Sequence, residues 1–333
     1  MTMMKYVAFS TPIIYNVRHF LSVKKITRLE VLKYFFSKAT FVGWGRKRSG
    51  RLAVILARLT RNPFLLLESG FIRSVGLGES ESFSLIQDDI GIYYDATAPS
   101  RLEEILNHYD FESDQELMTL AREAKEKILR YKISKYNNAP QSKLDFLNSD
   151  TKKVLIVAQT QGDSSLEYGY GYRYSTDTMI KEAIEENPGY EIYLKIHPEV
   201  LSGDKLSDIH IDELPPQCKI LTDNINPFDL MEQFEKIYTK TSGMGMEALL
   251  MGKEVYCYGL PYYAGWGLTV DKIEAPRRGR KLSVDELFAG AYILYTSYYN
   301  PCTKSKSDIM DTIETIYQQK RQVHAGEKQQ NSL

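Results

Sequence analysis

Tryptophan, cysteine and net charge are all scarce in this chain of 333 residues, and each scarcity removes a class of explanation. The three cysteines, Cys218, Cys257 and Cys302, are odd in number and lack metal-ligand spacing. They offer neither a disulfide framework nor a zinc site, and they suit a reducing cytoplasm. A formal net charge of −1 supplies no global basic field, so nucleic acid is not an expected partner. No apolar run reaches the ~18–20 residues needed to span a bilayer. The stretch from Met1 to Pro12 has neither the long apolar core nor the small-residue cleavage site of a signal peptide. The expectation is a cytoplasmic protein, with peripheral membrane contact left open.

At roughly 150 residues per domain, the length predicts two domains. Both halves alternate strand-like and helix-like segments. In the first, Ala39–Gly43, Phe64–Leu67, Phe83–Ile86 and Gly91–Tyr94 read as strands. Arg51–Leu59 reads as a helix, and Ser100 followed by Glu103 reads as a capping box opening another. Asp114–Tyr131 has apolar residues on one helical face. Residues 132–150 lack apolar periodicity and read as a linker. The second half opens on the apolar run Val154–Ala158, typical of a buried parallel strand. Further strands follow at Tyr190–Ile196, Lys219–Leu221, Lys236–Thr239 and Glu254–Tyr258, with helices between them. The predicted class is α/β, with two Rossmann-like lobes facing a central cleft. The lobes span 1–140 and 151–283, residues 284–321 are closing helices, and 322–333 form a disordered tail.

The only two tryptophans each sit in a Gly-Trp-Gly triplet, Gly43-Trp44-Gly45 and Gly265-Trp266-Gly267. Flanking glycines allow a sharp turn and close approach of a ligand, so Gly45, Gly265 and Trp266 are cleft candidates. A pair of tight turns, each capped by a packing ring, is the plainer reading. In Tyr238–Leu250 a strand gives way to hydroxyl and glycine residues and then a helix. Thr241, Ser242 and Gly243 at such a start suit a phosphate, and Glu247 suits ribose hydroxyls; an ordinary Ser242 N-cap is the alternative. Gln159, Thr160 and Asp163 follow the most apolar strand, where polar groups point into the cleft of such folds. Asp163 reads as a nucleophile or base, or as the N-cap of the next helix. Lys195 and His197 at a strand end are cationic donors for phosphate or carboxylate. Glu68 and Arg73 lie among the glycines of Glu68–Gly78. A Glu and an Asp across one cleft are the usual equipment of glycosyl chemistry. Basic runs at Arg46–Arg48 and Arg277–Lys281 read as solvated surface, or as contacts for an anionic sugar or bilayer.

In order and spacing, these segments resemble the bacterial capsule β-Kdo transferases of the KpsC/LipA type. The carriers are Gly43–Lys47, Glu68–Gly78, Gly91–Ala96, Gln159-Thr160 with Gly162-Asp163, Lys195–Pro198, Thr241-Ser242 through Glu247–Leu249, Gly259–Thr269 and Tyr298–Pro301. The resemblance covers roughly residues 40–305. It implies a GT-B-like retaining transferase, in a single module, that moves the acidic sugar Kdo from CMP-β-Kdo to a capsule or O-antigen glycan. It makes Asp163 the nucleophile and Glu68 the acid/base. Lys195 and His197 would meet phosphate or sugar carboxylate, Thr241–Gly243 the phosphate, and Glu247 the ribose. The implied partners are CMP-Kdo and a glycan acceptor, lipid-linked in one version, with peripheral contact at the inner membrane in the same version. No cofactor or metal is implied. Ser69 and Ala158 depart from the family pattern, which usually has Asp at the first place and often at the second. The residues alone leave open another donor, such as CMP-sialic acid or a UDP-sugar, and a non-catalytic polysaccharide export factor.

Overall fold

Strands without polar alternation are buried on both faces, and this chain uses them to build two sheets. The computed structural model describes residues 5–76, 81–140, 144, 150–196, 200, 206–209 and 211–330. The first lobe opens with β1 (Tyr6–Ala8), α1 (Thr11–Val17), β2 (Val23–Lys25), β3 (Thr40–Trp44), α2 (Arg48–Thr60), β4 (Phe64–Ser69) and β5 (Ser84–Asp88). Strands β2, β1, β3 and β4 pair in parallel, and β5 returns antiparallel on β4. Helices α3 (Arg101–His108) and α4 (Gln115–Tyr131) follow. The Ser100 hydroxyl caps α3 by accepting from the Glu103 backbone N–H at 3.1 Å, but the Glu103 carboxylate is engaged by Arg277, so the predicted capping box is only half formed.

The second lobe holds β6 (Lys153–Val157), α5 (Ser164–Tyr168), α6 (Thr176–Glu186), β7 (Glu191–Lys195), β8 (Cys218–Leu221), α7 (Pro227–Met231), β9 (Lys236–Thr239), α8 (Met244–Leu250), β10 (Glu254–Cys257) and β11 (Val270–Asp271). Its six strands are all parallel, in the order β11-β10-β9-β6-β7-β8. The chain then runs through α9 (Val284–Phe288), a π-helical turn Ala289–Leu294, β12 (Thr296–Asn300), β13 (Ser305–Ser307) and α10 (Ile309–Gln330). Two Rossmann-like lobes with a cleft between them are the architecture expected.

Four expectations need correction. The stretch 284–321 is not helical throughout: β12 pairs antiparallel with β5, and β13 with β12, so the chain returns to finish the first sheet. The first sheet is therefore mixed rather than parallel. Gly91–Tyr94 is a turn, because buried Asp88 accepts from the backbone N–H groups of Ile90, Gly91 and Arg101 and satisfies them outside any ladder. Finally, α10 continues to Gln330 where a disordered tail is predicted from Gln322.

The two lobes are joined firmly. Leu66, Phe71 and Ile86 from the first share one core cluster with Met246, Tyr262 and Trp266 from the second. Three arginines of the basic run Arg277–Lys281 are engaged at the same joint. Arg277 pairs with Glu103 at 2.8 Å and donates to the Ala96 carbonyl. The nearly buried Arg278 also reaches Glu103, at 3.3 Å, while holding the Pro261 and Ala264 carbonyls of its own lobe, and Arg280 donates to the Tyr109 carbonyl of the first.

Candidate active site

Between the lobes lies a cleft of about 620 Å³, lined from one side by Glu68 and Tyr93 and from the other by Asp163, Thr241 and Ser242. Glu68 stands near the end of β4, beside Trp44 at the end of β3. The Trp44 indole Nε1–H donates to Glu68 Oε1 at 3.0 Å, and the Ser69 backbone N–H donates to the same oxygen at 3.0 Å. Gly45 makes room for this group. Its φ is +38°, and a Cβ there would sit 2.1 Å from Tyr94 Oη and 3.2 Å from Glu68 Oε2. Burial raises the pKa of Glu68, opposed by the charge of Lys135, the Ser69 N–H, the charge of Lys47 and the Trp44 donor. A carboxyl whose neutral form is favoured in this way is suited to acid/base work.

Asp163 meets both of its sequence readings at once. It is the N-cap of α5, with Oδ1 accepting from the Ser165 N–H at 2.9 Å, and it is exposed at the cleft. A carboxylate has a second oxygen, so the cap does not exhaust it. Tyr93 lies in the cleft within electrostatic reach of both acids: burial, then the charges of Glu68 and Asp163, hold its hydroxyl neutral.

A hydrogen-bonded cluster forms the second-lobe wall. Gln159 Oε1 accepts from the Thr241 N–H at 2.7 Å, while its Nε2 donates to Thr241 Oγ1 at 3.1 Å. Ser165 Oγ lies 2.9 Å from the same Thr241 hydroxyl. Ser242 Oγ accepts from the Met244 N–H at 3.3 Å, and Tyr263 holds the Ser242 carbonyl. Thr160 and Gly243 also line the cleft, and nothing lies within 4 Å of where a Gly243 Cβ would be. Glu247 is buried and accepts from the Ser134 hydroxyl across the lobe boundary. Burial raises its pKa to about 7 against the opposing Ser134 hydroxyl and Lys135 N–H.

Other candidates fall elsewhere. Lys195 is not among the cleft-lining residues; its Nζ donates to the Asp223 carbonyl at 2.9 Å, and burial pushes its pKa down. His197 lies outside the described residues. Arg73 stacks 5.5 Å from the Tyr136 ring, also away from the cleft lining. The second triplet takes the plainer reading. Trp266 is 1% exposed, donates to the Tyr262 carbonyl at 2.9 Å and lies 5.7 Å below the Arg278 guanidinium. Gly265, with φ +80°, is the turn that seats it. Sequence reasoning missed Ser134 and Lys135, which line the cleft from within the supposed linker. That segment is held by Arg73 and Asn137 backbone and side-chain bonds that no local pattern announces.

The profile of the capsule polysaccharide biosynthesis protein family matches residues 39–299. The chain belongs to this family. It is 40% identical to the capsule polysaccharide modification protein LipA of Neisseria meningitidis serogroup A over 294 residues, 84% of this chain and 41% of LipA. The chain thus spans about two fifths of the length of that relative. It is 36% identical to the lipopolysaccharide-processing protein LpsZ of Rhizobium meliloti over 86% of the chain and 66% of LpsZ. Among solved structures it resembles the β-Kdo 2,4 transferase of Thermosulfurimonas dismutans KpsC, with a TM-score of 0.87 and 42% identity over 95% of this chain and 99% of that one. The β-Kdo 2,7 transferase of the same KpsC follows, with a TM-score of 0.72 and 30% identity over the same shares. The family membership anticipated from the motifs holds.

Proposed function

We propose that the chain is a retaining β-Kdo transferase that moves Kdo from CMP-β-Kdo to a hydroxyl of a bacterial surface glycan. The observation that carries this reading is the meeting of Glu68, from the first lobe, and Asp163, from the second, in one cleft beside the Thr241–Gly243 turn. The likeness to the two KpsC transferase domains supports the choice of sugar.

In the proposed reaction the donor phosphate rests on the Thr241–Gly243 turn. Asp163 attacks the anomeric carbon with one carboxylate oxygen. The bond from that carbon to the phosphate oxygen breaks, and CMP leaves with the electron pair. The acceptor hydroxyl then gives its proton to Glu68 and displaces Asp163. Two inversions return the original β configuration. Trp44 fixes the direction of the Glu68 carboxyl, and Tyr93 offers a neutral hydroxyl in the same cleft. Glu247 faces the ribose in this assignment while its Oε1 is held by Ser134. His197 keeps contact with the donor phosphate or sugar carboxylate. No step calls on a metal, and the reaction belongs to the cytoplasmic compartment.

Incubation with CMP-β-Kdo and a glycan acceptor tests the reading through acceptor-dependent CMP release. Asp163→Asn and Glu68→Gln are each expected to reduce turnover at least a hundredfold. Stabilisation of the fold by CMP but not by UDP is the accompanying expectation. Full turnover in Asp163→Asn, or a preference for UDP, contradicts the assignment.

A further inference from the structure

The helix that presents Asp163 is too short to hold itself. Helix α5 has five residues, and an isolated helix of that length is not stable in water. The direction of the Asp163 carboxyl therefore depends on what grips the rest of the helix. Its far end is Tyr168, and there the opposite lobe takes hold. The Tyr168 carbonyl accepts from the Ala96 backbone N–H of the first lobe at 3.0 Å. The Arg46 guanidinium lies over the Tyr168 ring, 5.7 Å from its centre. From its own lobe, the next carbonyl, that of Gly169, accepts from the Leu260 N–H at 2.7 Å.

Arg46 reads from the sequence as part of a solvated basic run, yet its side chain is only 19% exposed. Its Nε donates to Asp95, whose side chain is buried. The other Asp95 oxygen accepts from the Thr97 N–H at 2.8 Å and the Thr97 hydroxyl at 2.5 Å. A guanidinium is planar, so a bond at Nε orients the whole group. The Arg46 backbone N–H donates to the Tyr94 hydroxyl at 2.7 Å. That hydroxyl and Glu68 Oε2 share the space left free by Gly45. Three consecutive residues thus reach the supports of both acids: Trp44 and Gly45 those of Glu68, and Arg46 the far end of the Asp163 helix. The joint made by Arg277 and Arg280 does not involve Arg46.

We infer that Arg46 is a positioning residue that sets the spacing between Asp163 and Glu68 by pinning α5 to the loop that holds Trp44. Two carboxylates acting on one anomeric centre need a defined separation, and small misplacements are costly in rate. Arg46 is not among the cleft-lining residues, so it acts through Tyr168 rather than on the substrate. A buried ion pair such as Arg46–Asp95 is weak evidence for stability, which leaves placement as its task. This assignment rests on the two-carboxylate reading of the cleft and extends it.

Arg46→Gln would strand the buried Asp95 charge, so the test uses two gentler changes. Arg46→Lys keeps a cation for Asp95 and loses the flat group over Tyr168. Tyr168→Leu removes the ring from the other side. Each should lower kcat for acceptor-dependent CMP release about tenfold, with the donor KM and the unfolding midpoint close to wild type. The double variant should be no slower than the slower single, because both changes cut one contact. Hydrogen exchange without any donor gives a readout independent of the sugar. In Arg46→Lys the amides of Ser165–Gly169 should lose protection about tenfold while those of β6 keep theirs. Wild-type kcat in both single variants, losses that multiply in the double, or unchanged exchange in α5 overturns the assignment. So does a raised donor KM at unchanged kcat, which would make Arg46 a substrate contact. A wild-type chain that releases no CMP sinks the Kdo-transfer reading instead, and the exchange of α5 still decides whether Arg46 holds the helix.

Discussion

The two Gly-Trp-Gly triplets are identical in sequence and opposite in task. Trp44 is half-buried beside the cleft carboxylate Glu68, and its indole N–H is spent on that group. Trp266 is sealed in the joint between lobes, and its indole N–H is spent on a backbone carbonyl. Glycine serves each in its own way. At Gly45 it keeps space for Tyr94 and Glu68, whereas at Gly265 it provides the positive φ that turns a ring inward. The lesson is that a glycine-flanked ring marks a place where backbone and side chain crowd together. Whether the crowd is a ligand's or a core's is decided by which strands lie next to it.

The contrast can be broken most sharply at Trp266. Trp266→Ala should destabilise the protein by about 3–5 kcal/mol, the usual cost of emptying a buried aromatic site, as read from chemical denaturation. The fraction that stays folded should retain its turnover. An equal loss of activity and stability at Trp44 and Trp266 would erase the distinction drawn between them.

The two buried glutamates extend the comparison, because Glu247 belongs to the lobe boundary as Trp266 does. Its folded pKa of about 7 lies above the ordinary 4.5, so the native state binds more protons than the unfolded chain between those values. Stability should therefore be greatest below pH 4.5 as far as this group is concerned, fall through the window from 4.5 to 7, and be level above it. The full drop is of the order of 3 kcal/mol. Denaturation midpoints of wild type and Glu247→Gln across that window check it: the substitution should remove this component of the slope.

The smallest effect is expected at Trp44→Phe, which keeps the ring and removes one donor. A hydrogen bond to a charged group contributes roughly 1.5–3 kcal/mol, enough for about a tenfold loss of kcat/KM with little change in unfolding. Because the lost bond favoured ionised Glu68, its carboxyl should titrate higher. The acid limb of the pH–rate profile should move to higher pH. A profile identical to wild type would show that Trp44 does not position the base.

How far the sequence announces this molecule varies with the range of the interaction. The apolar run at β6, the cap at Ser100 and the polar residues after β6 are local patterns, and they appear where the periodicities put them. The mutual bonds of Gln159 and Thr241 join residues 82 apart in the chain, and the Ser134–Glu247 bond joins residues 113 apart. No window of sequence holds both partners. The return of β12 and β13 to the first sheet escaped for a related reason: β12 is short and tyrosine-rich, β13 is three polar residues, and neither carries a strand pattern long enough to stand apart from the helical segments around them. Gly91–Tyr94 failed in the other direction, since its strand-like composition yields to the three backbone donors collected by Asp88.

The most direct measurement of the central proposal is a search for the glycosyl-enzyme. Glu68→Gln should accept Kdo from CMP-β-Kdo but be slow to pass it on. Peptide mass mapping should then place one Kdo unit on the peptide containing Asp163, and the double variant with Asp163→Asn should carry none. A sugar found on another residue, or transfer by Asp163→Asn at the wild-type rate, would contradict the two-carboxylate account.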